Sequence, residues 1–417
     1  METQIIGSGF LTDCKDEGMR ERIKKILIRL IRIMPLRDDI IMESHPDFAG
    51  NTGALYRFFL NKGVNQRHRI HWALHSGTPR DGGGGLPANV DTFYLDAHGF
   101  RQMWKRFCVL YRSRYIIDSN SYIYKRRRGQ IRLHLGHGML MKITPEYHNA
   151  DKIGELDGYL VTAPFWQDVF VEKIGLPEDV ILSFGYPRND VLTGKRDTVT
   201  SLGRYVMWMP TYRQHRAHPG KGLADYFPYG MPEVMEKGQL LKLDRQAAEQ
   251  KIRIYFRPHP AQDLSAMQEV RLQNIVLADD DFLRREGITL YEMLASAKAL
   301  ITDYSSVYYD FLLTGRPIGL TFGDSREYFR KYDCPFTDLK ENIRGFYIES
   351  FEDLLQFLRR SAPEDGQAEE DLDLKRMRDR YHQYTDGRSA DRIYEYMKNQ
   401  YGFDGSEKED IQAWRER

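Results

Sequence analysis

The sequence predicts an α/β protein made of two facing Rossmann-like domains, each a parallel sheet with helices on both faces, separated by a cleft. Three observations carry this. Short apolar runs alternate with helical stretches along almost the whole chain, the pattern of parallel sheets covered by helices. About eleven such runs occur in 417 residues, too many for one ordinary sheet. The polar stretch NDVLTGKRDTVTSLG (189–203) separates the fifth run from the sixth and is the natural seam.

In chain order the candidate strands are DIIMES (39–44), HRIHWALH (68–75), IRLHLGHG (131–138), GYLVTAP (158–164) and VILSFGYP (180–187). After the seam come RYVMWMP (204–210), KIRIYFRPH (251–259), NIVLAD (274–279), KALITDYS (298–305), PIGLTF (317–322) and GFYIES (345–350). The expected domains are 38–195 and 203–400, preceded by a basic segment (1–37) and followed by a polar tail (401–417). Hydrophobic residues make up 41% and aromatics 12%, enough to bury sizeable cores. Lys+Arg number 61 against 60 Asp+Glu, a balance that argues against a surface built to hold nucleic acid. Cys14, Cys108 and Cys334 are far apart and odd in number, which fits a reducing compartment better than a disulfide framework or a structural zinc site. No signal-peptide pattern or membrane-spanning apolar run is present, so the expected compartment is the cytoplasm.

Residues 19–34, MRERIKKILIRLIRIM, read as a basic amphipathic helix. Met19, Ile23, Ile26, Leu27, Leu30, Ile31, Ile33 and Met34 share one side; Arg22, Lys24, Lys25, Arg29 and Arg32 share the other, and Ile28 breaks the pattern. Such a helix either lies on an anionic membrane surface or packs on its own domain. The run Lys125–Arg128 is either a solvated turn or a contact for a polyanion, and the glycine-rich RDGGGGLP (80–87) is a flexible loop with no nucleotide role.

Ligands of doubly wound sheets sit beyond the C-terminal ends of the strands, and two facing sheets make the cleft between them the default site. Several predicted strands end in chemically pointed residues: His137 and Gly138, Arg188, Thr211 and Arg213, Arg257 and His259, and Ser305 and Ser306. Ser305 and Ser306 follow an apolar strand and open a helix, where unpaired N–H groups and hydroxyls receive a phosphate or make an ordinary N-cap. Asp310, one turn on, is suited to accepting from a ribose or orienting the serines. In YFRPHP (255–260) two prolines stiffen the chain around His259, suiting it to donate to a phosphate or protonate a leaving oxygen, with Arg257 as a fixed cation. In LHLGHGM (133–139) His137 sits between glycines that permit close approach of a ligand, which suits a general base; Lys142 follows for a charged substrate.

Taken in order, HG, GYPRND, PTYR, RPHP and TDYSSVYYDF over 137–311, with IIMESHPDFAGNTGALYRFF (40–59) and DGRSADRIYEYM (386–397), resemble the CDP-glycerol glycerophosphotransferase family of teichoic acid and capsule synthesis. The resemblance covers most of the chain and implies a GT-B fold, with an N-terminal acceptor domain and a C-terminal donor domain. It implies transfer of a polyol phosphate, glycerol phosphate first, from a CDP-polyol to a hydroxyl of a lipid-linked polyol-phosphate or glycan acceptor, with release of CMP. By the same resemblance His137 is the base, and His259 stabilises or protonates the departing phosphate. Gly138, Arg188, Thr211, Arg213, Arg257, Ser305, Ser306 and Asp310 hold the donor, with no cofactor or metal. Lys142 contacts the acceptor, and Arg22, Lys25, Arg29 and Arg32 meet the membrane at its cytoplasmic face. Met139 stands where the family commonly has threonine, so a hydroxyl contact there is lost; PTYR replaces the family's PTWR, and the acidic ADDDF (278–282) reads as a decoy. Two other readings remain at this level: a GT-B glycosyltransferase using a nucleotide sugar, and an inactive scaffold binding envelope polymer.

Overall fold

A strand buried on both faces needs no polar alternation, and β2 (Ile70–Leu74) is buried at every residue. In the computed structural model, which describes residues 26, 28–80, 85–120, 123–143, 155–193, 199, 201–211, 227–259, 262–361 and 371–405, such strands build two sheets. The first contains β1 (Arg37–Glu43), β2, β3 (Val90–Tyr94), β4 (Ser113–Asp118), β5 (Ile131–His134), β6 (Gly158–Leu160) and β7 (Ile181–Leu182), in the order β3-β2-β1-β4-β5-β6-β7. The second contains β8 (Tyr205–Met209), β9 (Arg253–Phe256), β10 (Ile275–Leu277), β11 (Ala299–Thr302), β12 (Ile318–Leu320) and β13 (Phe346–Tyr347), in the order β10-β9-β8-β11-β12-β13. Every pairing within these sheets is parallel. Both sheets are doubly wound, with the order reversing between β1 and β4 and between β8 and β11.

Ten of the eleven predicted runs contain one of these strands whole, and DIIMES overlaps β1, which begins two residues earlier. Two strands went unread. β4 directly follows a helix with no glycine or proline between them: Ser113 is both the C-cap of that helix and the first strand residue. β3 is an edge strand, buried at only two of its five residues, so VDTFY makes no continuous apolar run.

Among the helices, α1 (Gly50–Asn61) follows β1, and α2 (Phe100–Arg112) connects β3 to β4. α3 (Val307–Leu312) follows β11, and α4 (Ser389–Tyr401) comes near the end of the described chain. Although α4 follows the second sheet in sequence, it packs back on the first domain. Asp190 caps it, accepting from the amides of Ser389 (2.9 Å) and Ala390 (3.0 Å), and Lys62 pairs with Asp391 at 3.3 Å. Phe403 is fully buried and stacks on His68, with ring centroids 4.4 Å apart. The chain expected to be a polar tail from 401 is therefore anchored as far as 405, because Phe403 fills an aromatic gap beside Phe59; the remainder of that segment lies outside the described residues.

One apolar cluster spans both domains, and each domain keeps a further cluster of its own. Trp166 of the first domain meets Tyr309 of α3 edge-on at 4.9 Å, and Tyr381 closes the cluster at 5.3 Å from Trp166.

Residues 28–33 are helical and lie against α2, with Ile31 buried and Ile28 packed in the same cluster. Arg127 closes the end of this helix, donating from Nη1 to the carbonyl of Met34 at 2.8 Å. The buried side differs from the expected apolar face. Ile28, which broke the sequence pattern, packs inward, while Ile26, Leu30, Ile33 and Met34 are exposed. The two isoleucines three residues apart follow the groove offered by α2, which the sequence of the helix alone does not encode. Arg29 and Arg32 are exposed; Arg22 and Lys25 lie outside the described residues. Within the basic run, Lys125 pairs with Asp157 at 2.5 Å and Arg127 serves the helix end, so both have structural work.

Candidate functional site in the interdomain cleft

The reversal between β8 and β11 opens a crevice at the C-terminal edge of the second sheet. Two side chains brace it. Asp303 accepts from the Thr211 amide at 2.8 Å and its hydroxyl at 3.2 Å, and Thr302 donates to the Met209 carbonyl at 2.8 Å. Ser305 and Ser306 follow on the same edge, both partly exposed. Ser306 makes no capping hydrogen bond, and Ser305 Oγ accepts from the Val307 amide only at 3.5 Å. An ordinary N-cap therefore does not account for the pair. α3 has only six residues, so its dipole adds little, and anion binding here rests on hydroxyls and cations.

One strand further, Arg257 and His259 follow β9. Arg257 is held by the end of β10, donating to the Ala278 carbonyl at 2.8 Å and to Asp280 at 2.6 Å. With the exposed His259 it lines a 360 Å³ cavity together with Gln262, Ser265 and Gln268. The acidic loop has local duties: Asp279 caps the helix that follows, accepting from Phe282 at 2.8 Å, and Asp280 pairs with Arg257. Because β9 and β11 both flank β8, His259 and the serines are separated by roughly 10 Å of sheet edge. Arg213 lies outside the described residues.

From the first domain, the loop after β5 reaches this edge. Asn51 at the start of α1 donates to the carbonyls of Leu135 and Gly136, both at 2.9 Å, and holds the base of the loop. His137 is exposed, with Nδ1 at 3.4 Å from the Ser119 carbonyl. A Cβ added to Gly138 would lie 2.2 Å from Ser306 Oγ, so the His137 loop touches the serine turn across the cleft. Beyond it, Leu140 accepts from Tyr309 at 3.1 Å, and Ile143 bridges to Asp333. Lys142 donates to Tyr328 at 2.8 Å and lies 4.7 Å from the Tyr332 ring, engaged by the second domain. Arg188 and Asp310 are buried and bond each other at 2.7 Å across the domain boundary. The structure thus brings His137, Gly138, Arg188, Ser305, Ser306 and Asp310 together, and sets Thr211, Arg257 and His259 along the same edge.

The family model of CDP-glycerol:poly(glycerophosphate) glycerophosphotransferases matches residues 26–399. The chain belongs to this family. Among curated relatives of this glycerophosphotransferase-family chain, the teichoic acid ribitol-phosphate primase of Bacillus spizizenii is 23% identical over 276 residues, 62% of this chain and 62% of the relative. The teichoic acid poly(glycerol phosphate) polymerase of Staphylococcus epidermidis is 25% identical over 51% of this chain and 28% of its own length. The teichoic acid glycerol-phosphate transferase of Staphylococcus aureus is 26% identical over 46% of this chain and 45% of its own. The match thus spans 62% of the first relative and under half of the other two. Among solved structures, the wall teichoic acid polymerase TagF superposes with a TM-score of 0.65 at 17% identity, covering 92% of this chain and 98% of that one. A Listeria monocytogenes structure described as a UDP-N-acetylglucosamine 2-epimerase superposes at 0.50 with 11% identity, covering 90% of this chain and 100% of that one. The fold is GT-B, as the resemblance implied.

Several residues of this glycerophosphotransferase-family site escaped the sequence reading. Asn189, beside Arg188, donates to Asp310 at 2.8 Å, and Tyr291 donates to the same carboxylate at 2.6 Å. Glu43 ends β1 at the other reversal point; it is fully buried, and burial raises its pKa against a hydrogen bond from His75 at 3.0 Å. Its second oxygen accepts from the Asn120 amide at 3.2 Å, next to the Ser119 carbonyl that faces His137. Adjacency to Arg188 was a signal for Asn189, and the end of the run DIIMES was one for Glu43; Tyr291 carried none.

Proposed function

We propose that this chain transfers a polyol phosphate, glycerol phosphate first, from a CDP-polyol to a hydroxyl of a lipid-linked acceptor and releases CMP. The observation that carries the reading is the contact of the His137–Gly138 loop with Ser306, which puts a histidine of one domain against the hydroxyl turn of the other. In this reaction His137 takes the proton of the acceptor hydroxyl as its oxygen attacks the phosphorus that bears the polyol. The bond from that phosphorus to the CMP oxygen breaks, and CMP leaves with the electron pair. Such a step is catalysed mainly by positioning and by stabilising charge on the phosphoryl oxygens. Ser305, Ser306 and Thr211 donate to the diphosphate; Arg257 supplies a fixed charge, and His259 neutralises the departing phosphate.

The acceptor is lipid-linked, so we also assign the exposed side of residues 26–34 to an anionic membrane surface at its cytoplasmic face. Ile33 is 80% exposed and Leu30 54%, with Arg29 and Arg32 exposed on the same turns. Among the described residues no helix is long and apolar enough to cross a membrane.

The test is CMP release from CDP-glycerol and CDP-ribitol, offered separately with a glycerol-phosphate-primed lipid acceptor. His137→Ala and His259→Ala each lower the rate by about 10²-fold or more, the scale of acid–base assistance. Release of a nucleoside diphosphate from a nucleotide sugar, with no CMP from either CDP-polyol, would replace this reading by a glycosyltransferase.

A further inference from the structure

Arg188 sits in the cleft with its side chain 8% exposed; both Nη groups bond within the protein, while its buried Nε has no partner among the described residues. Nη2 donates to Asp310 at 2.7 Å, and Nη1 donates to the His137 carbonyl at 2.7 Å. The guanidinium lies 5.2 Å from the Tyr186 ring and 5.0 Å from the Tyr291 ring. Burial works against its charge, but Asp310 and the tyrosines hold its pKa above the usual arginine value. Asp310 is more fully engaged. It accepts from Arg188 and Tyr291 on one oxygen and from Asn189 on the other, filling three of roughly four lone-pair sites. Tyr186, Arg188, Asn189 and His137 belong to the first domain, Tyr291 and Asp310 to the second. A donor phosphate could take an Nη group of Arg188 only by displacing the Asp310 carboxylate or the His137 carbonyl, and breaking the buried ion pair is strongly destabilising.

The pair is also mechanically linked to the site. Asp310 lies one turn beyond Ser306, and Ser306 is the residue against which Gly138 packs. We propose that Arg188, Asn189, Asp310 and Tyr291 form an interdomain clasp that sets the position of the His137 backbone against the Ser305–Ser306 turn, acting through His137 rather than as ligands of the donor. They are positioning residues for the transfer reaction.

The clasp rests on the transfer reading, so its test has one arm that depends on activity and one that does not. For Asp310→Asn and Arg188→Lys, CDP-glycerol affinity is measured by calorimetry, CMP release in single turnovers at saturating donor, and hydrogen exchange at the amides of residues 137–141. The clasp predicts a donor Kd within about 3-fold of wild type and a turnover rate lower by about 10- to 100-fold, the scale of a displacement near 1 Å. It also predicts faster exchange in the loop. A donor Kd weakened at least tenfold with turnover retained would make these residues donor ligands and overturn the proposal. Unchanged turnover and unchanged exchange would overturn it as well. Tyr291→Phe removes one hydrogen bond and keeps the ring, and carries the same expectation at smaller size if a charge variant fails to fold. If wild type releases no CMP, the transfer reading fails, and loop exchange in the variants still decides whether the clasp exists.

Discussion

A methyl group at position 138 has nowhere to go. The Cβ of Gly138→Ala would sit 2.2 Å from Ser306 Oγ and 2.7 Å from Ser306 Cβ, whereas ordinary contact begins at 3.4 Å. Rotating the serine relieves the first clash but not the second, so the His137 loop and the serine turn must part by 0.7 Å (3.4 − 2.7) to 1.2 Å (3.4 − 2.2). A misplacement near 1 Å in a group-transfer site costs about 10²-fold in rate, so single-turnover CMP release should fall by about 10- to 100-fold at saturating CDP-glycerol. Stability should suffer as well. Overpacking a core costs about 1–3 kcal/mol, and the two surfaces, on different domains, can separate to relieve it; the φ of +156° at position 138 adds strain of about 1–3 kcal/mol for an alanine. Adding Ser306→Gly removes both clashes but not the backbone strain of an alanine at φ +156°, so it should restore the melting temperature only in part and should not restore the serine's hydroxyl function. Turnover of Gly138→Ala within about 2-fold of wild type would refute the reasoning, since it would mean that the loop and the turn are not in contact when the reaction occurs.

Further outcomes follow from other parts of the molecule. Burial alone would raise the Asp118 pKa, but Arg132 (2.8 Å) and His134 more than offset it and hold it at about 2. The depressed pKa gives stability of about 2 kcal/mol that is present above pH 4 and lost as pH falls toward 2. The stability gap between wild type and Asp118→Asn in urea should therefore shrink over that interval; a constant gap would contradict it. Phe403→Ala removes a fully buried ring and should cost about 3–5 kcal/mol in unfolding free energy, a check on the anchoring of the chain end. Arg29→Gln with Arg32→Gln should weaken binding to vesicles containing anionic lipid by about 30-fold, at about 1 kcal/mol per cation, and leave binding to neutral vesicles unchanged.

The strands were legible because parallel strands buried on both faces are short apolar runs, and runs such as KALI and RYVMWM stand out against polar loops. β4 was not legible because its first residue is also a helix cap, so no turn marks the boundary. The strand-end rule gathered His137, Arg257, His259 and the serines without any contact being known, since it depends only on where a strand stops. It said nothing about partners. Arg188 and Asp310, 122 residues apart, read separately as a cation and an acid for a ligand; folded, they bond to each other. Tyr291 lies on a helix whose sequence gives no reason to single it out.

Sequence alone therefore determined the two-sheet architecture, because periodicity and strand ends are local properties of the chain. Tertiary structure alone decided three things. Ile28, which broke the expected face, meets α2 beside Ile31; α4 and Phe403 return to the first domain; and Arg188 pairs with Asp310 under the His137 loop. Each depends on which surfaces meet across long stretches of chain. Burial and pairing of a side chain are set by that meeting and not by its neighbours in sequence.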